Sequence, residues 1–171
     1  MKKAVLIDTS SAILLFKSGW MTPLMEHYQV GTGPVVYQEM TVLHHPGATS
    51  FARWRKEHRL VLHASNGAGI EPDDDLNRLH QGERECIRLL YEGAGAFIIL
   101  DDGRGAAYCR RKAIPYVNAL LIPRLLSTDL TGCDAAVAAA IHAIYAKGHY
   151  APWVRDYALN CPAQEIAFFL P

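Results

Sequence analysis

Five acidic residues stand where solubility alone does not explain a carboxylate. Asp8 is the first residue after the short apolar run Ala4–Ile7, and Asp101 and Asp102 are the first residues after Ala96–Leu100. Glu39 lies four residues after Val35 and three after Val36, so on a helix it shares their apolar face. Glu83 lies three residues before Cys86, four before Ile87 and seven before Leu90, on a core-facing stripe in the first turn of a helix. A carboxylate on such a stripe is costly unless a cation meets it. Arg104 is one candidate cation, but a single guanidinium cannot offset this many carboxylates. A divalent metal can. Mg²⁺ and Mn²⁺ prefer oxygen ligands, and Mg²⁺ keeps several waters. The open positions then hold a phosphate oxygen and an attacking water, the equipment for metal-assisted phosphodiester hydrolysis.

Each acid alone has a plainer reading. Asp8 can cap a helix, Glu83 can complement a helix dipole, Glu39 can snorkel or pair with a lysine, and Asp101-Asp102-Gly103 can form a turn. The joint pattern is stronger, because separate elements deliver these carboxylates to one place. Ala4–Ile7 reads as a strand, and Asp8-Thr9-Ser10-Ser11 caps the helix that follows. Tyr28–Gly31 reads as a second strand, and Pro34 suits the first position of a helix over 34–43. Thr49-Ser50 caps Phe51–His58, and Leu60–Leu62 is a further strand. Asn66–Asp75 is a Gly/Pro/Asp-rich loop. Helix Glu83–Glu92, strand Ala96–Leu100, a helix through Lys112 and strand Ile114–Val117 follow. The remainder is helical: Leu120–Leu126, Asp134–Lys147 and Pro152–Leu159. Strands alternating with helices predict a parallel sheet covered on both faces. The runs at 4–7, 96–100 and 114–117 have the composition of central strands. In such sheets function sits at the carboxyl ends of the strands.

Composition agrees with one folded domain. The chain has 171 residues, half of them hydrophobic, and equal numbers (17 each) of basic and acidic side chains. Disorder, collagen and coiled coil are excluded, as is a strongly basic wrapper of nucleic acid. No apolar run reaches the roughly 18 residues of a membrane span. The N-terminal apolar run is too short for a signal peptide and Asp8 interrupts it, so the expected location is cytoplasmic. Cys86, Cys109, Cys133 and Cys161 form no C-x-x-C pair, and buried free thiols are expected.

At its acidic positions the chain resembles a PIN-domain protein. The matching residues are Asp8-Thr9-Ser10, Pro34-Val35-Val36-Tyr37-Gln38-Glu39, Gly82-Glu83, and Ile98-Ile99-Leu100-Asp101-Asp102 with Arg104 and Ala107 beyond. The resemblance runs from about residue 3 to 126 and more loosely to 160. It implies a three-layer α/β/α sandwich around a mainly parallel sheet. It divides the chain into a nuclease core, 1–126, and a helical C-terminal extension, 127–171, packed on the same domain. It also implies a Mg²⁺- or Mn²⁺-dependent ribonuclease, similar to VapC toxins, leaving 5′-phosphate and 3′-hydroxyl ends. Asp8, Glu39, Glu83 and one of Asp101 and Asp102, with Asp102 the more direct match, would hold the metal and carry catalysis. Thr9, Ser10, Arg104 and Asn118 would face the substrate, Arg104 either stabilising the transition state or pairing with Asp101 or Asp102. RNA is the implied substrate, a small antitoxin and a second copy of the chain are the implied protein partners, and no membrane is involved. The C-terminal extension and Asn118 depart from the family pattern. The reading from a different class is a non-catalytic PIN-like scaffold that binds RNA or a protein.

Other patterns are weaker. Arg53, Arg55, Lys56, His58 and Arg59 surround Trp54, and Arg110-Arg111-Lys112 follows the helix that starts at the acidic pair. Both are candidate RNA contacts or solvated helix faces. Asp73-Asp74-Asp75 reads as a solvated cap. Trp153, Tyr157 and Phe168-Phe169 are either core or an apolar patch for a partner. No histidine pattern suits zinc.

Overall fold

The computed structural model describes residues 2–66, 73–127 and 133–162. The chain opens as strand β1 (Lys3–Ile7), helix α1 (Thr9–Ser18) and helix α2 (Met21–His27). Strand β2 (Tyr28–Thr32), helix α3 (Pro34–Met40), helix α4 (Ala48–Lys56) and strand β3 (Leu60–Leu62) follow. Then come α5 (Asp74–Asn77), α6 (Gln81–Tyr91), β4 (Ile98–Ile99), α7 (Gly103–Arg111) and β5 (Tyr116–Val117). A 3₁₀ turn (Ala119–Leu121), α8 (Ile122–Leu126), α9 (Ala135–Tyr145) and α10 (Pro152–Asn160) complete the described chain.

The five strands form one sheet in the order β3-β2-β1-β4-β5, and every pairing is parallel. Helices pack around it in an α/β/α sandwich. Val5, Leu6 and Ile7 are wholly buried, as a strand covered on both faces requires. The chain builds outward from β1 through β2 to β3, then returns to lay β4 on the other side of β1. That reversal leaves a crevice beyond the carboxyl ends of β1 and β4, the place where open α/β sheets bind ligands. The Asp8 N–H donates to the Ile99 carbonyl at 3.1 Å, so the end of β1 is stitched to the end of β4.

Several elements differ from expectation. The run at 114–117 is an edge strand, not a central one: β5 pairs with β4 alone. Ile114 and Val117 are nonetheless buried, which is why the composition resembled a central strand. The α3 helix stops at Met40 instead of continuing to 43. Thr41 turns its hydroxyl back to the Tyr37 carbonyl (2.7 Å), His44 takes a positive φ of 74°, and Val42 and Leu43 face solvent. Helix α2 has no counterpart in the expected elements, and Pro23 lies within it. This proline falls in the first turn, where no intrahelical bond needs its missing N–H. Helix α1 ends on Gly19 with φ 81°. The Gly19 and Trp20 N–H groups meet the last carbonyls there. Val137, Ile141 and Ile144 form the buried stripe by which α9 joins the same core. Phe168-Phe169 and most of the Gly/Pro-rich loop lie outside the described residues.

Candidate active site

Asp8 leaves β1 in extended conformation and caps α1. Its Oδ2 accepts from the Ser10 N–H (3.2 Å) and the Ser10 hydroxyl (2.8 Å), and the residue is only 7% exposed. Burial pushes its carboxyl above the usual range. The Ser10 bonds pull the other way, and the charge of Glu39 adds to the rise. Glu39 approaches from α3, and the Thr9 hydroxyl donates to its Oε2 at 2.5 Å. Between these two carboxylates lies the backbone of Gly82. A Cβ there would stand 3.2 Å from Glu39 Oε2 and 3.4 Å from Asp8 Oδ1. Glycine is therefore what lets the first turn of α6 enter the gap between the two acids.

The next residue, Glu83, is 3% exposed, and its Oε2 accepts from the His80 N–H at 3.0 Å, holding the start of α6. Burial first, then the charges of Asp102 and Asp8, push its carboxyl up to about 7. Asp102 caps α7: its Oδ1 accepts from the N–H groups of Arg104 (2.7 Å) and Gly105 (3.2 Å). Burial alone would raise Asp102. The two amides, a hydrogen bond from Glu83 and the nearby His80 outweigh it, so Asp102 sits below the usual range. Of this pair Glu83 therefore holds a proton more tightly than Asp102. Gly105 admits the approach, since a Cβ on it would meet the Glu83 carboxyl carbon at 3.4 Å.

Asp101 has different company. Its Oδ1 accepts from the Tyr150 hydroxyl (2.5 Å) and the Ala119 N–H (3.0 Å). Burial pushes it up, against the pull of Tyr150, Ser11 and the Ala119 amide. Its Oδ2 and the Ser11 hydroxyl are buried without a hydrogen bond of good geometry. Adjacent in sequence, the two aspartates part in space: Asp102 turns toward Glu83, and Asp101 fastens β4 to the residues after β5 and α9.

The remaining expected residues fall around this group. Ser10 and Thr9 hold Asp8 and Glu39, as above. Arg104 is exposed, and its guanidinium pairs with neither Asp101 nor Asp102. It is the main-chain N–H of Arg104 that holds Asp102. The Asn118 side chain accepts from the Leu121 N–H and caps the 3₁₀ turn. Trp54, the aromatic of the first basic cluster, is core: it is 4% exposed and packs edge-on against Phe16 and Phe51. In the second cluster Arg111 and Lys112 pair with Asp75 and Asp73, and Asp73 caps α5. All four cysteines are free thiols.

Sequence reasoning missed Glu85. Its two oxygens accept from the N–H groups of Val35 (3.1 Å) and Val36 (3.0 Å), the first turn of α3. It thereby clamps the helix bearing Glu39 to the helix bearing Glu83. One signal existed: Gly33 offers α3 no capping side chain, so its orphan N–H groups need an acceptor from elsewhere.

Asp8, Glu39, Glu83 and Asp102 make no ion pair with Lys or Arg among the described residues. Nor, among those residues, is any group of three or more His, Cys, Asp or Glu side chains placed so that it could hold a metal ion. The chemistry of the donor set still fits a hard divalent cation. The donors are all carboxylate oxygens, and two of them are buried and held up in pKa by desolvation and mutual repulsion. No described helix is long and apolar enough to cross a membrane. A family model described as a PIN domain matches residues 4–152. No curated protein and no solved structure matches the chain.

Proposed function

The chain belongs to the PIN-domain family, a nuclease-type fold, and from that premise we propose that it is a Mg²⁺- or Mn²⁺-dependent endoribonuclease. The observation that carries the reading is the pair of carboxylates, Asp8 and Glu39, flanking Gly82, with the hydrogen-bonded Glu83 and Asp102 beside them. Asp8, Glu39, Glu83 and Asp102 would hold one or two ions. A bound ion supplies a water of lowered pKa and positive charge against the phosphate. The chain's own contributions follow from its contacts. Ser10 fixes Asp8, and Thr9 fixes Glu39. Glu85 sets the spacing of α3 and α6. Glu83 keeps its proton up to about pH 7 and must release it to become a ligand. Arg104, exposed in the first turn of α7, would meet a phosphate. Asp101 is read as a positioning residue, through Tyr150 and Ala119.

Cleavage of single-stranded RNA, measured with wild type beside Asp8→Asn and Glu83→Gln, tests this. Metal-dependent cleavage lost in both variants and with EDTA supports it. Equal activity in all three overturns the site, and silence with no metal-dependent stabilisation favours the scaffold reading. A toxin role, with a small antitoxin as partner, and a cytoplasmic location rest on the family resemblance. Growth arrest on expression, relieved by Asp8→Asn, is the result expected of a toxin.

A further inference from the structure

Two hollows adjoin the aspartate pair that follows β4. One, of about 330 Å³, lies against Ser10, Asp101, Asp102 and the lysines Lys17 and Lys147. The other, of about 530 Å³, runs from Asp101 and Gly103 past Asn118 to Arg110, Trp153 and Tyr157. They share Asp101, His149 and Tyr150, so the hydrogen-bonded Tyr150 and Asp101 stand in the wall between them. The larger hollow is within the roughly 300–1,000 Å³ of ligand sites. Its floor includes buried Leu100, Val117 and Leu121, and its wall is aromatic. Trp153 is 66% exposed and Tyr157 37%, the only aromatic rings besides Tyr91 that stand so far into solvent among the described residues.

The charges select the occupant. Lys17 and Lys147 line the smaller hollow, the Lys147 ammonium donating to the Lys17 carbonyl, and Arg110, exposed and in no ion pair among the described residues, lines the larger. A polyanion passing Asp101 would thus meet a cation in each hollow. Planar aromatics beside a cation form a stacking platform for unpaired bases. An aliphatic protein anchor has no need of the lysines, whereas a phosphodiester chain does.

We propose that the groove bounded by Trp153, Tyr157 and Arg110 is a nucleobase subsite, holding a base of single-stranded RNA next to the phosphate at the carboxylates. This deepens the nuclease reading and rests on it.

The test is binding of a short end-labelled single-stranded RNA to the full chain in EDTA, followed by fluorescence anisotropy. Wild type, Trp153→Ala and Trp153→Phe are compared, each against the intact RNA and a set carrying one abasic residue at successive positions. Trp153→Ala is expected to bind roughly 5- to 150-fold more weakly, the range for losing one stacked base. Trp153→Phe recovers most of the loss. One abasic position costs wild type the same factor and costs Trp153→Ala nothing further, a coupling that general destabilisation does not produce. RNA also quenches indole emission in wild type but not in Trp153→Phe, since Trp54 is buried and Trp20 half-buried.

Unchanged binding by Trp153→Ala, or abasic losses equal in both proteins, overturns the proposal. So does unchanged RNA binding with a halved sedimentation mass, which makes the face a contact between copies. Coupling without Mg²⁺-dependent cleavage keeps the subsite and removes the nuclease reading; cleavage without coupling does the reverse.

Discussion

Glu83→Gln should make the metal-free protein more stable at alkaline pH, and should flatten the dependence of its stability on pH. In the folded chain Glu83 titrates near 7, and its ordinary value is 4.5. Between those values the folded state holds a proton that the unfolded chain has released. A carboxylate raised by folding therefore contributes a penalty that is absent below about pH 4.5, grows through the window and is complete above about 7. At about 1.36 kcal/mol per unit the penalty reaches about 3 kcal/mol. For a chain of this size that is roughly 6–12 °C in Tm. Asp8 and Asp101 are raised as well, so a slope of the same sign survives in the variant. Calorimetric melts in EDTA from about pH 5 to 8 read this directly. Wild type should lose Tm across the range, and Glu83→Gln should lose much less. Adding Mg²⁺ at the alkaline end should restore wild type and leave the variant nearly unmoved, because the ion binds only the folded chain. Parallel slopes in the two proteins would refute the assignment of the buried charge to Glu83.

Three further outcomes follow from the same geometry. Gly82→Ala places a methyl 3.0 Å from Val36 Cγ2, 3.2 Å from Glu39 Oε2 and 3.4 Å from Asp8 Oδ1. Its gain in helix propensity of about 1 kcal/mol offsets the crowding, so denaturant midpoints should barely move, while cleavage drops roughly a hundredfold. Glu85→Ala strands the Val35 and Val36 N–H groups and should cost about 1–3 kcal/mol in urea unfolding, with Glu85→Gln losing less. Tyr150→Phe removes the hydroxyl from Asp101. Its cost of about 1–3 kcal/mol should appear in alkaline melts and shrink in acid, where Asp101 takes up a proton.

Much of this was legible in the sequence because burial on both faces leaves a simple mark. Ala4–Ile7 and Ala96–Leu100 are apolar throughout, and they became the neighbouring strands β1 and β4. The acids after them had to share an edge once the sheet was parallel. What could not be read is where side chains point when the strand ends. Asp101 and Asp102 carry the same chemistry in adjacent positions, and only the packing of α7 and of Tyr150 sends them apart. Trp54 beside arginines looks the same in sequence whether it faces RNA or Phe51, and Arg59 does lie over its ring, at 5.9 Å. Glu85 was hidden for another reason. Its partners lie about 50 residues away, and a carboxylate that caps a distant helix has no local pattern.

The stitch from the Asp8 N–H to the Ile99 carbonyl also orders events in time. The β1–β2 pairing joins stretches close in sequence, whereas β1–β4 must close a loop of about ninety residues. Long-range parallel pairing is slow to form. Asp8 and Asp102 are therefore strangers until most of the hydrophobic core has condensed. Their charges meet Glu83 late, on a scaffold already able to bear the repulsion. A ribosome must also release the chain beyond α7 before the carboxylates can assemble. Any chemistry they perform is thus withheld from the nascent polypeptide by topology alone.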